Sequence, residues 1–264
     1  MMKQQYPYIH QIFSCITFIL FFSPCIRAQK TEYTSLEDGF IIRDLKEYNN
    51  ELYACGFLVD SMHHGHAAIY KWNGNALCLA GLTQASGIAT CMAVYHNELY
   101  VGGAFTDMEG KPANNIARWN GSRWAAAGKG VLNLTDPNPA FEDINVLTVY
   151  NNELYAGGDF DVAGQDSAKN IAAWDGNQWH KLSGSLGKRL FIPLSMTTFQ
   201  QKLYVSAILD SMTSDPKIID YDGNEWNSSE MQALTVNVGN MVVYNGVLCM
   251  VSRLKDSSLS INGW

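Results

Sequence analysis

The chain has 264 residues, 47% of them apolar and 16% charged, and carries a formal net charge of −7. That acidic balance argues against nucleic acid or an anionic membrane surface as partner. The length suits one all-β domain behind a short leader.

Residues 1–28 read as the leader, a signal peptide. Lys3 gives a weakly positive start, and Ile12 to Phe22 is an apolar run of 11 residues, too short to span a bilayer. Ile26-Arg27-Ala28 resembles a small-residue cleavage site, which places the cut after Ala28. Pro24 immediately before Cys25 speaks against lipid attachment there. No other apolar run is long enough for a membrane helix, so the expectation is an exported protein without membrane insertion after cleavage, secreted, periplasmic or at the cell surface. Losing Lys3 and Arg27 leaves 16 basic against 25 acidic residues, net −9, over one domain, residues 29–264.

The mature chain opens on a strand-like piece, Tyr33 to Gly39. A repeating unit follows, clearest from Tyr95 to Gly128. Four short aromatic and apolar runs separated by turns indicate strands, not helices. The first run ends at Tyr95. A polar turn, His96 to Glu98, leads to the second, Leu99 to Phe105. A longer loop leads to the third, Ile116 to Trp119. An Asn120-Gly121 turn leads to the fourth, around Trp124. Asn-Gly is a strong hairpin signal because both central residues of a type I′ turn have positive φ.

The landmarks recur. The second-strand leucine returns as Leu52, Leu99, Leu154, Leu203 and Leu248, at intervals of 47, 55, 49 and 45 residues. The third-strand aromatic returns as Trp72, Trp119, Trp174 and Tyr221, with Ile261 in the same place. Asn-Gly or Asp-Gly follows each, at Asn73, Asn120, Asp175, Asp222 and Asn262. Three residues beyond the glycine come Leu77, Trp124, Trp179 and Trp226. Four strands at a period of about 40–50 residues are the signature of propeller blades.

Glycine pairs on strand two (Gly102-Gly103, Gly157-Gly158), an aromatic on strand three and a tryptophan on strand four resemble the kelch-type propeller repeat, as in galactose-oxidase-like domains. The resemblance runs from about Tyr33 to the last residue. It implies a propeller fold and says almost nothing of function. Cys55-Gly56, Ser206-Ala207 and Val251-Ser252 depart from the glycine pair. The fold class expected is an all-β β-propeller of five four-stranded blades. The last copy stops at Trp264 without a fourth strand, and Tyr33–Gly39 aligns with Trp124–Gly130, so the N-terminal strand is expected to close the last blade. That closure leaves no free sheet edge. The alternative is a larger ring.

In such a meander the 1–2 and 3–4 turns share one face, and the 2–3 and 4–1 connections share the other. The first set is tight. The second is long and variable: Val59–His66, Thr106–Asn114, Lys129–Asp143, Asp161–Lys169 and Asp210–Lys217. Variable loops on a rigid scaffold are where binding is usually placed. Their acids, Asp107, Glu109, Asp161, Asp166 and Asp210, are the candidate ligand-binding residues, with calcium as a possible cation. The competing reading is that each aspartate caps its own loop. His63 and His66 are candidate metal ligands. The landmark tryptophans, which could stack on sugars, are expected to fill the gaps between blades instead, with the strand-two glycines making room for them.

Cys55, Cys78, Cys91 and Cys249 are expected to be buried free thiols; an exported protein also permits disulfides. No catalytic motif is present, and the galactose-oxidase resemblance carries no copper ligands across to this chain. The expected function is non-catalytic, cofactor-free recognition of a protein or surface glycan. A multivalent lectin is the alternative, and a glycan-active enzyme the third reading.

Overall fold

The structure is a computed structural model, and it describes residues 40–59, 65–80, 85–134, 144–184, 192–208, 217–228, 237–253 and 259–263. The leader and the Tyr33–Gly39 strand lie outside these residues.

Five antiparallel meanders follow one another. Blade 1 is β1 (Phe40–Tyr48), β2 (Glu51–Val59), β3 (Gly65–Trp72) and β4 (Leu77–Leu79), with β5 (Ala85–Ser86) added beside β3. Blade 2 begins with β6 (Ile88–Tyr95) and β7 (Glu98–Ala104). A small hairpin, β8 (Asp107–Met108) and β9 (Lys111–Pro112), interrupts it before β10 (Ile116–Trp119) and β11 (Trp124–Ala126). After β12 (Val131–Leu132), blade 3 starts with β13 (Val146–Tyr150) and β14 (Glu153–Gly157). The hairpin β15 (Val162–Ala163) and β16 (Asp166–Ser167) comes next, then β17 (Ile171–Trp174) and β18 (Trp179–Lys181). Blade 4 is β19 (Ile192–Phe199), β20 (Lys202–Ile208), β21 (Lys217–Tyr221) and β22 (Trp226–Ser228). Blade 5 is β23 (Asn237–Tyr244), β24 (Val247–Arg253) and β25 (Leu259–Gly263).

The first strands of successive blades lie side by side: β1 against β6, β6 against β13, β13 against β19, β19 against β23. Sheets radiating from a row of inner strands make this chain a β-propeller. Among the described residues β23 and β1 make no contact of that extent.

The core lies between blades. Trp119 and Trp124 of blade 2 pack against Tyr48, Tyr53 and Ile69 of blade 1. Trp174 and Trp179 of blade 3 pack against Tyr95, Tyr100 and Ile116 of blade 2. Tyr221 and Trp226 of blade 4 pack against Tyr150 and Tyr155 of blade 3. Two kinds of hydrogen bond cross these junctions. The indole Nε1 of Trp124 donates back to the Ala80 carbonyl (3.1 Å), and that of Trp179 to the Ala127 carbonyl (2.8 Å). The hydroxyls of Tyr48, Tyr95 and Tyr150 donate forward, each at 3.0 Å, to the carbonyls of Asn97, Asn152 and Gln201.

Near the axis the inner strands are stitched by side chains. The Met92 amide donates to Oδ2 of Asp44, and the Met241 amide to Oγ of Ser195; Asp44 and Ser195 both stand four residues before the end of their strand. Leu45, which occupies the Met92 position in blade 1, donates to Oδ1 of its own neighbour Asp44. Burial pushes the Asp44 carboxyl above its ordinary range, although Lys46 and the two amides oppose the shift.

Two expectations need correction. The type I′ chemistry sits in the 1–2 turns, where Asn49-Asn50, His96-Asn97, Asn151-Asn152, Gln200-Gln201 and Asn245-Gly246 all have positive φ. In the first four Asx-Gly turns only the glycine is left-handed, as at Gly121 (φ 95°); Asn262-Gly263, expected as the fifth, lies within β25 instead, paired with Met250 and Cys249. There the Asx side chain shapes the turn: Oδ1 of Asn73, Asn120, Asp175 and Asp222 accepts the amides two and three residues ahead. Nor do the strand-two glycines make room for tryptophan. A Cβ at Gly102 would meet Ile144 and Cys91, and one at Gly103 would lie 2.1 Å from the Ile88 carbonyl oxygen. Strand one bulges at this level in blade 2, which pushes its backbone onto the glycine. Glycines that do clear space for a tryptophan are Gly128, whose Cβ would stand 2.7 Å from the Trp174 ring, and Gly164, whose Cβ would stand 3.1 Å from Trp179 Cβ.

Gly103→Ala is therefore expected to lower stability by about 1–3 kcal/mol. Gly110→Ala has nothing within 4 Å of the new Cβ and is expected to cost only the left-handed backbone, about 1 kcal/mol. Urea unfolding of the two variants checks the order.

Candidate functional site

The turns at the 1–2 and 3–4 ends are short. At the 2–3 and 4–1 end the chain builds a second layer above blades 2 and 3. β12, which leaves blade 2, pairs with β15 of blade 3, and β15 with β16, giving a three-stranded sheet. The Asp161 amide donates to the Leu132 carbonyl, and the Gly164 amide to the Gly130 carbonyl.

Two asparagines anchor this layer. Asn115 is 5% exposed; its Oδ1 accepts the Phe105 amide at 2.9 Å, and its Nδ2 donates to the Val131 carbonyl at 2.9 Å. It thus ties the 2–3 loop to the 4–1 connection of the same blade. Asn114 adds a bond from Nδ2 to the Lys129 carbonyl, 2.8 Å. Asn170 is the blade 3 counterpart, buried, at positive φ, with its amide on the Phe160 carbonyl. Sequence reasoning passed over both, yet a signal was present. Phe105 and Phe160 each precede the asparagine by ten residues, and an isoleucine follows it in both blades. Asparagine suits the place because it tolerates left-handed backbone and offers both a donor and an acceptor.

The candidate acids fall into different roles. Asp107 opens the β8–β9 hairpin, and its Oδ1 accepts the Gly110 amide at 3.1 Å, which is local capping. Glu109 sits at the tip of that hairpin with φ 53°. Asp161 accepts the Leu134 amide at 2.9 Å, so it holds the preceding connection instead of its own loop. Asp166 is exposed on β16. Asp210 and His63 lie outside the described residues. His66 lies within β3, opposite Leu58 and Ser86. Among the described residues no group of three or more His, Cys, Asp or Glu side chains stands together as a metal site.

The other reactive groups are placed for structure. Cys55 and Cys91 are buried free thiols, and Cys249 is half-buried. Cys78 departs from the expectation: it is exposed on the short β4. Burial pushes the Cys91 thiol up to about 12 and Cys55 well above its usual range, so neither supplies a thiolate nucleophile. The glutamates that open strand two, placed in the turn by the sequence reading, pair across the sheet. Glu51 meets Lys71 at 2.9 Å, Glu98 meets Arg118 at 2.9 Å, and Glu153 meets His180 at 3.3 Å. Blade 4 reverses the signs with Lys202 and Asp220 at 2.8 Å.

Tryptophans that could stack on a sugar are enclosed: Trp119, Trp124, Trp174 and Trp179 are at most 7% exposed. Trp72, on the outward face of blade 1, is 37% exposed. The Trp174 indole donates to the Tyr100 hydroxyl at 3.2 Å. The equivalent Nε1 of Trp119 faces Tyr53 but makes no hydrogen bond in the structure.

No family model and no curated protein matches this chain. Solved structures do resemble it. A glycosyl hydrolase from Bacteroides ovatus aligns at 12% identity and a TM-score of 0.41, over 85% of this chain and 83% of that one. The β-propeller domain of the trilobed protease from Pyrococcus furiosus aligns at 11% and 0.43, over 87% and 82%. The acylaminoacyl peptidase of Pyrococcus horikoshii aligns at 9% and 0.42, over 86% of this chain and 45% of that one. Likeness at this level says nothing of activity or ligand.

Two outcomes follow from the site. Removing the Asp161 carboxylate in Asp161→Ala should raise amide exchange at Leu134 roughly fivefold, the equivalent of about 1 kcal/mol, and leave Met92 unchanged. Asp175, held below its ordinary 3.8 by the Gln178 and Asn177 amides, favours the folded state above its unfolded pKa. That contribution is lost as pH falls through the depressed folded value. Asp175→Asn should therefore melt slightly below the parent at pH 7, with the difference closing under acid.

Proposed function

We propose that this chain is an exported, non-catalytic binding scaffold, a kelch-type propeller that recognises one protein partner through its 2–3 and 4–1 loop face. The observation that carries the reading is the unequal second layer on that face. Asp107 caps its own hairpin while Asp161 clasps the neighbouring connection, and β12–β15–β16 spans only the junction of blades 2 and 3 among the described residues. Equivalent weak sites, one per blade, would suit a multivalent glycan lectin. Unequal loops held by buried asparagines suit a single asymmetric surface. The enclosed tryptophans support the same choice, because the aromatic platforms a lectin would need are occupied by blade packing.

The reading expects no catalytic pair and no bound metal on the loop face, with glycan binding as its main rival. Binding partners captured from an exported-protein fraction should be retained by a variant with altered turns at the opposite end (Asn120→Asp with Asn73→Asp). They should be lost when residues 107–112 and 162–167 are both replaced by short turns. Equal capture by both variants overturns the loop-face assignment. Calcium-dependent hits on a glycan array overturn the protein-partner assignment.

A further inference from the structure

Two of the described 3–4 turns carry Asn-Gly, Asn73-Gly74 in blade 1 and Asn120-Gly121 in blade 2, where blades 3 and 4 have Asp175 and Asp222. A glycine has no Cβ to shield its amide nitrogen, so that nitrogen can approach the carboxamide carbon of the asparagine before it. In blade 2 the side chain is already folded for that approach. Oδ1 of Asn120 accepts the Ser122 and Arg123 amides, each at 3.0 Å, which lays the carboxamide forward over the Gly121 peptide. Reacting groups held together in this way need little further ordering. Asn120, Gly121, Ser122 and Arg123 are all exposed, so water reaches them.

The two Asn-Gly turns differ in what surrounds the carboxamide. At Asn120 the Ser122 hydroxyl donates a third hydrogen bond to Oδ1, at 2.9 Å. At Asn73, Oδ1 accepts the Asn75 and Ala76 amides at 3.0 and 2.9 Å, while Nδ2 is tied to Sγ of Cys78 at 3.1 Å. Donors converging on one carbonyl oxygen grow stronger as negative charge develops there. The Asn120 carboxamide therefore sits in a small oxyanion hole with one more donor than its blade 1 counterpart.

We infer that Asn120 is a site of spontaneous deamidation in the folded chain, promoted by the Ser122 hydroxyl. The Gly121 nitrogen loses its proton to hydroxide and bonds to Cγ of Asn120. The carbonyl electron pair moves onto Oδ1, where the three donors hold it. As that pair returns, the Cγ–Nδ2 bond breaks, and Nδ2 takes a proton from water and leaves as ammonia, which regenerates the hydroxide. Water then opens the cyclic imide, at Cγ to give an aspartate or at the main-chain carbonyl to give an isoaspartate. One water enters, one ammonia leaves, and nothing is oxidised or reduced. The aspartate product is the residue blades 3 and 4 already use, since Oδ1 of Asp175 and of Asp222 accepts the same two amides. It keeps the turn and the Trp119–Trp124 pairing across it, and it adds a negative charge at the end opposite the loop face.

Incubation of the purified chain in mildly alkaline buffer tests the inference, with peptide mass mapping to read conversion at positions 120 and 73 and thermal melting to verify that each variant folds. Asn120 should convert faster than Asn73. Ser122→Ala should slow conversion at position 120 about fivefold, the factor one hydrogen bond is worth, and leave position 73 unchanged; Ser122→Thr, which keeps the hydroxyl, should restore the rate. In urea, with the turn unfolded, the parent and Ser122→Ala should convert alike. A folded parent in which Asn120 converts no faster than Asn73 overturns the inference. So does a folded Ser122→Ala that converts at the parent's rate, or a Ser122 effect that persists undiminished in urea.

Discussion

The arrangement depends on one repeated contact between neighbouring blades. A large indole from the later blade fills the wedge between two diverging sheets and ties its Nε1 back to a main-chain carbonyl, as Trp124 and Trp179 do. A tyrosine from the earlier blade closes the same gap from the other direction. An isolated meander has apolar faces to bury and nothing to bury them on, so each blade is stable chiefly through its neighbours. Burying a tryptophan this way is worth about 3–5 kcal/mol against alanine. A hydrogen bond adds about 1 kcal/mol and fixes the direction in which blades stack.

Because packing and inner-strand stitching settle the blades, the connections at one end are free of that duty. They differ in length and in what their polar residues hold. Blades 2 and 3 use the freedom to raise a small sheet locked by Asn115 and by Asp161, a stiff and asymmetric surface.

The blade pattern was legible because it rests on period and residue size. Leucine, aromatic, Asx-Gly and tryptophan recur where each must pack or turn. What escaped is what depends on atoms and not on pattern. Asn-Gly signalled a turn correctly at Asn73 and Asn120 but not at Asn262, which lies within β25, and which turn residues adopt positive φ was decided by the Asx side chain folding onto the amides ahead of it. Gly102 and Gly103 read as space for tryptophan, whereas a bulge in the facing strand claims that space. Asn115 and Asn170 looked like loop residues, and only their burial shows that they organise the loops. Asp107 and Asp161 looked like repeats of one another, though they sit one position apart relative to Phe105 and Phe160 and bond to different partners. Cys78 looked buried because it lies in a strand, but that strand is the edge of the blade 1 sheet.

The most direct test of the junction is urea unfolding of Tyr95→Phe, which deletes one interblade hydrogen bond and keeps the ring. Blade 4 already carries Phe199 at this position, so the blade itself tolerates the change. The account predicts a loss of about 1 kcal/mol in a single cooperative transition. An unchanged midpoint would contradict it, because the tyrosine hydroxyl would then contribute nothing to holding blade 2 on blade 3.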